Sequence, residues 1–249
     1  MAITDEKKAL RQQVLARRDA IASDQREGKN VLICAQLARE VDWDELAEKK
    51  EMRQWAEGAP VQTEQQPPAQ SGNPLAADFS LLENLLEEDR GPALNVAVYA
   101  SMGSEPDITG FVAMAYMHHA HVCYPCMERI PAAEQDGTRK LRMTFRKVSF
   151  DQRATCPFVV NPLKGLDADD PVLADYPRIA PADLDIIVTP LVAFDEQGNR
   201  LGYGGGNYDR LFAETRQDAF IVGIAYAEQR VDAVPCEDFD KPLPRIVSA

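Results

Sequence analysis

The stretch of this 249-residue sequence richest in chemistry is Phe194-Asp-Glu-Gln-Gly-Asn-Arg-Leu-Gly-Tyr-Gly-Gly-Gly-Asn-Tyr-Asp-Arg210. Gly202, Gly204, Gly205 and Gly206 free the backbone to take positive φ and to approach a ligand with no Cβ in the way. Successive N–H groups of such a loop, with the N-terminus of a following helix, make a cradle for an anion. Arg200 offers a guanidinium for a phosphate, and Asp209 an oxygen ligand of the kind Mg²⁺ takes. The spacing is not that of a dinucleotide fingerprint, which wants glycine where Asn207 stands, and no Gly-Lys-Ser/Thr occurs. A plain glycine-rich turn between strand and helix remains open on these residues alone. A second group, Lys7, Lys8 and Arg11, lies at spacings of three and four and crowds neighbouring faces of two helical turns. By itself it reads as a solvated basic face.

These residues need elements to hold them. The N-terminal stretch reads as a helix capped by Thr4 or Asp5, with Leu10, Val14 and Ile21 as one apolar stripe. Ser23 opens a second helix whose apolar positions are Val31, Leu32, Ala35 and Leu37. From Ala56 to Leu75 the pattern collapses into Pro, Gln and Gly, so a flexible, acidic insert is expected over about 43–90, with a short helix at Ala76–Glu88. Beyond Leu94, short strands alternate with helices. Strands are expected at Asn95–Ala100, His121–Pro125, Leu141–Arg146, Asp185–Pro190 and Phe220–Tyr226, and helices at Ile108–His119 and Asp209–Glu214. That order predicts an α/β fold with a largely parallel sheet. The glycine loop then follows a buried strand, at the carboxyl edge where open α/β sheets collect ligands.

Composition narrows the function. Forty acidic residues against 27 basic ones give a net charge of −13. That balance argues against a general binder of nucleic acid and against a polybasic membrane anchor. No run of about 18 apolar residues appears, and the first residues lack the order of a signal peptide. Five cysteines, odd in number and scattered, suit a reducing cytoplasm. Cys123-Tyr-Pro-Cys126, with His118, His119 and His121 upstream, has zinc-ligand types. It lacks a second pair at finger spacing and reads as core cysteines. A monomer is expected, with a dimer as the alternative.

Taken together, the segments resemble the 5-formyltetrahydrofolate cyclo-ligase (5,10-methenyltetrahydrofolate synthetase) family. The glycine loop is similar to the family's signature, and three further segments agree in order. They are Lys7-Lys-Ala-Leu-Arg11, Val98-Tyr-Ala-Ser-Met-Gly-Ser-Glu105-Pro-Asp-Ile, and Ala225-Tyr-Ala-Glu-Gln229 with Val234-Pro235 and Asp240. The match covers most of the chain apart from roughly 43–90 and 166–177. The resemblance implies a single domain with a three-layer α/β fold, similar to the NagB/RpiA/CoA transferase-like fold. It implies ATP- and Mg²⁺-dependent conversion of 5-formyltetrahydrofolate to 5,10-methenyltetrahydrofolate, with a phosphorylated imidate on the way.

Carried over by position, Lys7, Lys8 and Arg11 would face the ATP phosphates. Arg200, Leu201, Gly202, Tyr203, Gly204, Gly205, Gly206, Asn207 and Tyr208 would wrap the nucleotide, and Gly204 to Asn207 would also line the folate side. Arg200 and Tyr208 would stand at the reacting groups, Asp209 and Asp240 would hold Mg²⁺, and Ala100 and Glu105 would meet the pterin. Two departures stand out: Asn207 replaces a frequent Tyr, and Phe239 a frequent His. They motivate the alternative of a non-catalytic nucleotide- or folate-binding relative that acts through a partner. A kinase using the loop for another acceptor is a third reading.

Overall fold

The computed structural model describes residues 3–57, 92–130, 141–237 and 240–249. The chain divides into two compact units, Met1–Val41 with Asn95–Ala249, and Asp42–Leu94.

The first unit opens with α1, Ile3–Asp19. It begins before Thr4, so the residues expected to cap it lie inside its first turn. Val14 is fully buried, and Ile21 is buried beyond the helix end rather than on its stripe. Helix α2 runs Ser23–Glu40 behind Ala22 in the N-cap position. Its buried residues are Ile33 and Leu37, while Val31 and Leu32, expected inside, are 66% and 56% exposed. Ile33 and Leu37 are four apart and share a face, and Val31 and Leu32, two and one positions before Ile33, turn away from it.

The strands, in chain order, are β1 Asn95–Ala97, β2 His121–Arg129, β3 Leu141–Lys147, β4 Gly165–Leu166, β5 Arg178–Ile179, β6 Ile186–Pro190, β7 Ala193–Phe194, β8 Arg200–Leu201, β9 Phe220–Ala225 and β10 Ile246–Ser248. The main sheet has the order β10-β9-β6-β1-β2-β3-β5, with β4 also paired to β2. Its centre is parallel: β10 on β9, β9 on β6, β6 on β1, and β1 on β2. At one side it turns antiparallel, with β2 and β3 in register from Cys123↔Lys147 to Arg129↔Leu141 and β3 followed by β5. Strands β7 and β8 form a separate antiparallel pair.

Three further helices serve this unit: α4 Thr109–Met117, α5 Pro157–Val160 and α6 Asn207–Glu214. Successive side chains of a strand point to opposite faces. Ala97, Cys123 and Ile187 thus form one face, and Leu211 of α6 packs on them with Tyr208 and Phe212 alongside. Cys123 and Cys126 are both buried within β2. This packing sets α6, and with it the glycine loop, against the sheet.

In the second unit, α3 covers Trp43–Ala56, and the Asp42 carboxylate accepts the Glu45 N–H at 3.0 Å as its cap. The insert therefore begins as a helix, in a stretch with no glycine or proline to interrupt it. Within this unit Lys50 Nζ donates to the Ala93 carbonyl at 2.6 Å. Residues 58–91, including the helix expected at 76–88, lie outside the described residues, as does Phe239. No helix among the described residues is long and apolar enough to cross a membrane.

Candidate active site

Strands β1, β6 and β9 run parallel side by side, so the segments that leave their carboxyl ends converge. After β1 the chain makes a tight loop held by its own polar groups. The Tyr99 hydroxyl donates to the Pro106 carbonyl at 2.8 Å, and Ser101 Oγ to the same oxygen at 2.9 Å. Glu105, only 5% exposed, folds back so that Oε2 accepts the Met102 N–H at 2.8 Å. Its other oxygen, Oε1, is buried with no hydrogen-bond partner. Burial pushes the Glu105 carboxyl up, against the Met102 N–H, the Tyr203 hydroxyl and the Arg18 charge, which pull it down. Burial prevails and raises it overall, and a buried carboxyl oxygen left open is costly, so the position suits a donor.

After β6 the chain enters the β7–β8 hairpin, whose turn is organised by Asp195. Its Oδ1 accepts the N–H groups of Gln197 at 3.1 Å and Asn199 at 3.0 Å, and its Oδ2 accepts Asn199 Nδ2 at 2.9 Å and the Val234 N–H at 3.0 Å. Burial alone would raise this carboxyl, but those four donors outweigh it and hold it below its ordinary value. The hairpin delivers Arg200 at the start of β8, directly before the glycine loop.

Two glycines in that loop use the freedom only glycine has: Gly204 at φ +94° and Gly206 at φ +58°. Gly206 is the N-cap of α6 and leaves the cap without a side-chain oxygen, so the first N–H groups of the helix are not masked by their own residue. Arg11 grips the loop from α1, with Nε donating to the Gly202 carbonyl at 2.7 Å. Its guanidinium carbon lies 3.4 Å from where a Cβ on Gly204 would stand. Arg210 Nη2 closes the other side, donating to the Gly205 carbonyl at 3.0 Å and to Asn207 Oδ1 at 2.6 Å.

Beside the loop runs a chain of alternating charges. Lys7 Nζ pairs with Asp240 at 2.7 Å and Glu237 at 2.8 Å. Burial lowers the Lys7 ammonium, but the hydrogen bonds and charges of those two carboxylates prevail and raise it overall. Asp240 is driven up by burial and more strongly down by Lys7, the Glu237 N–H and Arg200. Arg200 in turn pairs with Asp209 through Nη2, donates through Nη1 to the Lys241 carbonyl at 2.6 Å, and lies 4.6 Å over the Phe212 ring. Two cations thus sit among three carboxylates, each cation paired.

A cavity of about 870 Å³ opens beside the β1 loop. Ala100, Glu105, Tyr99 and Tyr226 are in its wall, with Arg26 and Asn30 from α2 and Arg153 and Val160 around α5. It falls within the ~300–1,000 Å³ usual for small-molecule sites.

The fold thus brings Arg11 to Gly202 and Gly204, Arg200 to Asp209, and Lys7 to Asp240. It brings Tyr208 and Tyr203 within the field of Glu105: burial first, then the Glu105 charge, raises both hydroxyls, that of Tyr203 to about 12. Lys8 is exposed and stands apart. The Leu201 side chain is in the core with Val14, Val192, Ala193 and Val234, which leaves only its backbone to the loop. None of residues 200–209 lines the cavity that holds Ala100 and Glu105, so the glycine loop and the cavity are neighbouring rather than shared walls.

Sequence reasoning passed over Arg18. It is 4% exposed, its Nε donates to Ser104 Oγ at 2.8 Å and its Nη2 to the Tyr203 hydroxyl at 2.9 Å. The signal was in the spacing: Lys7, Arg11, Val14 and Arg18 follow a 4-3-4 rhythm and so occupy one helix face. Gln229 closes the Ala225–Gln229 segment. It is fully buried, accepts the Tyr226 N–H at 2.7 Å and donates to the Leu191 and Val192 carbonyls at 2.6 and 3.1 Å.

The chain matches the sequence model of the 5-formyltetrahydrofolate cyclo-ligase family over residues 3–249. It is 55% identical over 62 residues to the 5-formyltetrahydrofolate cyclo-ligase of Haemophilus influenzae, covering 24% of this chain and 33% of that protein. It is 34% identical over 127 residues to that of Mycoplasma pneumoniae, covering 50% and 74%. For Escherichia coli K12 the figures are 48% over 66 residues, 26% and 36%, so the chain spans about a third of the length of the H. influenzae and E. coli relatives. Two solved structures share the fold. The 5,10-methenyltetrahydrofolate synthetase of M. pneumoniae has a TM-score of 0.58 at 17% identity, covering 97% of this chain and 98% of that one. That of Aquifex aeolicus has a TM-score of 0.54 at 21% identity, covering 97% and 89%.

Proposed function

The chain belongs to the 5-formyltetrahydrofolate cyclo-ligase family, and from that premise we propose that it converts 5-formyltetrahydrofolate to 5,10-methenyltetrahydrofolate at the expense of ATP. The observation that carries the reading is the pairing of two complementary sites. An anion cradle at Gly202–Asn207 is gripped by Arg11, and nearby Glu105 presents a buried carboxylate oxygen without a partner. The cradle suits a polyphosphate, and Glu105 suits the amino and ring N–H groups of a pterin.

In the proposed reaction the formyl oxygen of the substrate attacks the γ-phosphorus of ATP, forming an O–P bond as the bond to ADP breaks. The phosphorylated imidate carries a good leaving group on the former formyl carbon. N10 of the folate attacks that carbon, loses its proton, and the ring closes as phosphate departs. Such a reaction asks a protein for alignment and charge neutralisation rather than for a covalent nucleophile. Arg200 is suited to the transferring phosphoryl group, Lys7 and Arg11 to the phosphates behind it, and the Tyr208 hydroxyl to positioning beside Glu105.

Asp209 and Asp240 would be the oxygen donors for Mg²⁺. Among the described residues no group of three or more His, Cys, Asp or Glu is assembled for a metal. Two carboxylates nevertheless suit this ion, which takes its remaining ligands from water and substrate phosphates. Bound there, Mg²⁺ would supply positive charge against the polyphosphate. Arg200 and Lys7, which hold the two carboxylates in the structure, would then be released toward phosphate. The same reading makes the protein a cytoplasmic monomer acting on small molecules, without nucleic-acid or membrane partners, in a three-layer NagB/RpiA/CoA transferase-like fold.

The test is an assay of the purified protein with 5-formyltetrahydrofolate and Mg-ATP, following methenyl absorbance and ADP together. Stoichiometric appearance of both supports the reading. Folate binding by calorimetry without ATP turnover would favour a non-catalytic relative, and ADP release with some other acceptor a kinase.

A further inference from the structure

Arg26 and Arg153 both line the large cavity, one from the first turn of α2 and the other from the turn that leads into α5. Both are half-buried. Several other guanidiniums of this acidic chain find carboxylates: Arg129 pairs with Asp167, Arg146 and Arg178 with Glu128, Arg216 with Asp185, and Arg230 with Glu196. Arg26 makes no hydrogen bond or ion pair among the described residues. Arg153, among the described residues, reaches only the Tyr124 hydroxyl, which also lines the cavity. Glu27 and Asp107 share the same wall, yet neither forms an ion pair with either arginine. Two half-buried cations that face a cavity with no carboxylate paired to either, in a protein of charge −13, suit an anion from outside.

The remaining wall says what kind of anion. Glu105 belongs to the β1 loop and offers its open oxygen to a donor. Val159, Val160 and Val112 supply apolar surface, and Val160 is 67% exposed where it does so. Tyr124 and Tyr226 stand beside Arg153 and Arg26, and burial keeps both hydroxyls protonated. A ligand that suits this wall has a head rich in N–H donors, an apolar middle and an acidic end. A phosphate would sit better in the glycine loop, which is not part of this cavity.

We propose that Arg26 and Arg153 form a subsite for the glutamyl carboxylates of the reduced folate, one guanidinium for each carboxylate of the terminal glutamate. This rests on the functional reading above. Guanidiniums match carboxylates in a planar, bidentate fashion, and a site held at the cavity wall adds binding without touching the reacting carbon. The subsite thus acts on substrate affinity rather than on turnover.

The experiment compares 5-formyltetrahydrofolate with its pteroate analogue, which lacks glutamate, on wild type, Arg26→Gln, Arg153→Gln and the Arg26→Lys and Arg153→Lys variants. The expected result is a KM about tenfold higher for the glutamylated substrate in each Gln variant, with kcat within about twofold. The KM for the pteroate analogue should be the same in all proteins, and the Lys variants should recover part of the loss. An equal rise for both substrates, or no rise for the glutamylated one, overturns the subsite. Wild type that turns over the folate while the variants behave identically to it also overturns the subsite but leaves the functional reading standing. Wild type that neither turns over nor binds the folate in calorimetry overturns both. Thermal melts of each variant identify any loss of folding, which half-buried positions on a helix and a turn are not expected to cause.

Discussion

At the scale of single residues, the site is a set of charges that the fold keeps incomplete. Burial raises the Glu105 carboxyl overall, and of its two oxygens one accepts the Met102 N–H while Oε1 is left open. Glu105→Gln keeps the shape and removes the charge, turning one acceptor oxygen into a donor. Hydrogen bonds to charged groups contribute about 1.5–3 kcal/mol, so the KM for reduced folate should rise by roughly 10- to 100-fold. The KM for ATP should stay put, and steady-state kinetics with each substrate varied separates the two. If both KM values rose together, Glu105 would belong to loop stability rather than to pterin recognition. Asp209→Ala removes one proposed Mg²⁺ ligand and frees Arg200 at once. Turnover should fall by at least about tenfold, and the Mg²⁺ concentration needed for half-maximal rate should increase. Wild-type metal dependence in this variant would take Asp209 out of the site.

At the scale of elements, the β7–β8 hairpin is the device that aims Arg200. Asp195 ties its turn to Val234 with an ionised carboxylate whose pKa lies below its ordinary 3.8. A group with a lowered folded-state pKa adds stability above its unfolded pKa and loses it as pH falls through the folded one. Asp195→Ala should therefore destabilise the protein by about 2–3 kcal/mol at pH 7. The gap from wild type should narrow once the pH drops below 3.8, and urea melts across that range read it directly. Gly198 makes the same turn possible: φ is +80°, and an added Cβ would lie 2.5 Å from the Leu243 carbonyl oxygen. Gly198→Ala meets both backbone strain and a collision with backbone, and should cost at least about 2 kcal/mol with a marked loss of activity. An alanine variant as stable and active as wild type would show that the turn does not set the position of Arg200.

At the scale of the whole molecule, the charge of −13 hides an uneven distribution. Residues 43–90 hold 11 acids and 4 bases, and residues 166–185 hold 6 acids and 1 base, while the first 22 residues hold 3 acids and 5 bases. In the structure, cations of the N-terminal helix are turned to use: Lys7 meets Asp240, Arg11 the glycine loop, and Arg18 Ser104 and Tyr203. Lys7 and, from β8, Arg200 each pair with carboxylates of the chain itself. Mg-ATP binding should stabilise it by mass action, by about 2.7 kcal/mol at a hundredfold excess over Kd. A melting temperature raised by Mg-ATP, and less by ATP with chelator, is the expected signature in a thermal shift measurement. An identical shift with and without metal would remove Mg²⁺ from the nucleotide complex.

The sequence by itself determined the local facts. Alternation of strands and helices, the glycines of the loop, and the basic 4-3-4 rhythm of the first helix are properties of neighbouring residues, set by backbone sterics and periodicity. The parallel centre of the sheet was legible for the same reason, from apolar runs such as Ile186–Val188 and Phe220–Ile224. What only the tertiary structure decided concerns groups far apart in the chain. Arg18 and Ser104 are 86 residues apart, Lys7 and Asp240 are 233, and Arg26 shares a cavity with Arg153. Of the apolar positions read for α2, Leu37 is buried, whereas Val31, Leu32 and Ala35 are exposed and Ile33 is buried in their place, because the neighbouring elements choose which apolar face is covered. Whether a charge is solvated, paired or left open to a ligand depends on what the fold brings beside it. A Coulomb interaction is governed by distance and by the exclusion of water, and neither is written in the order of the residues.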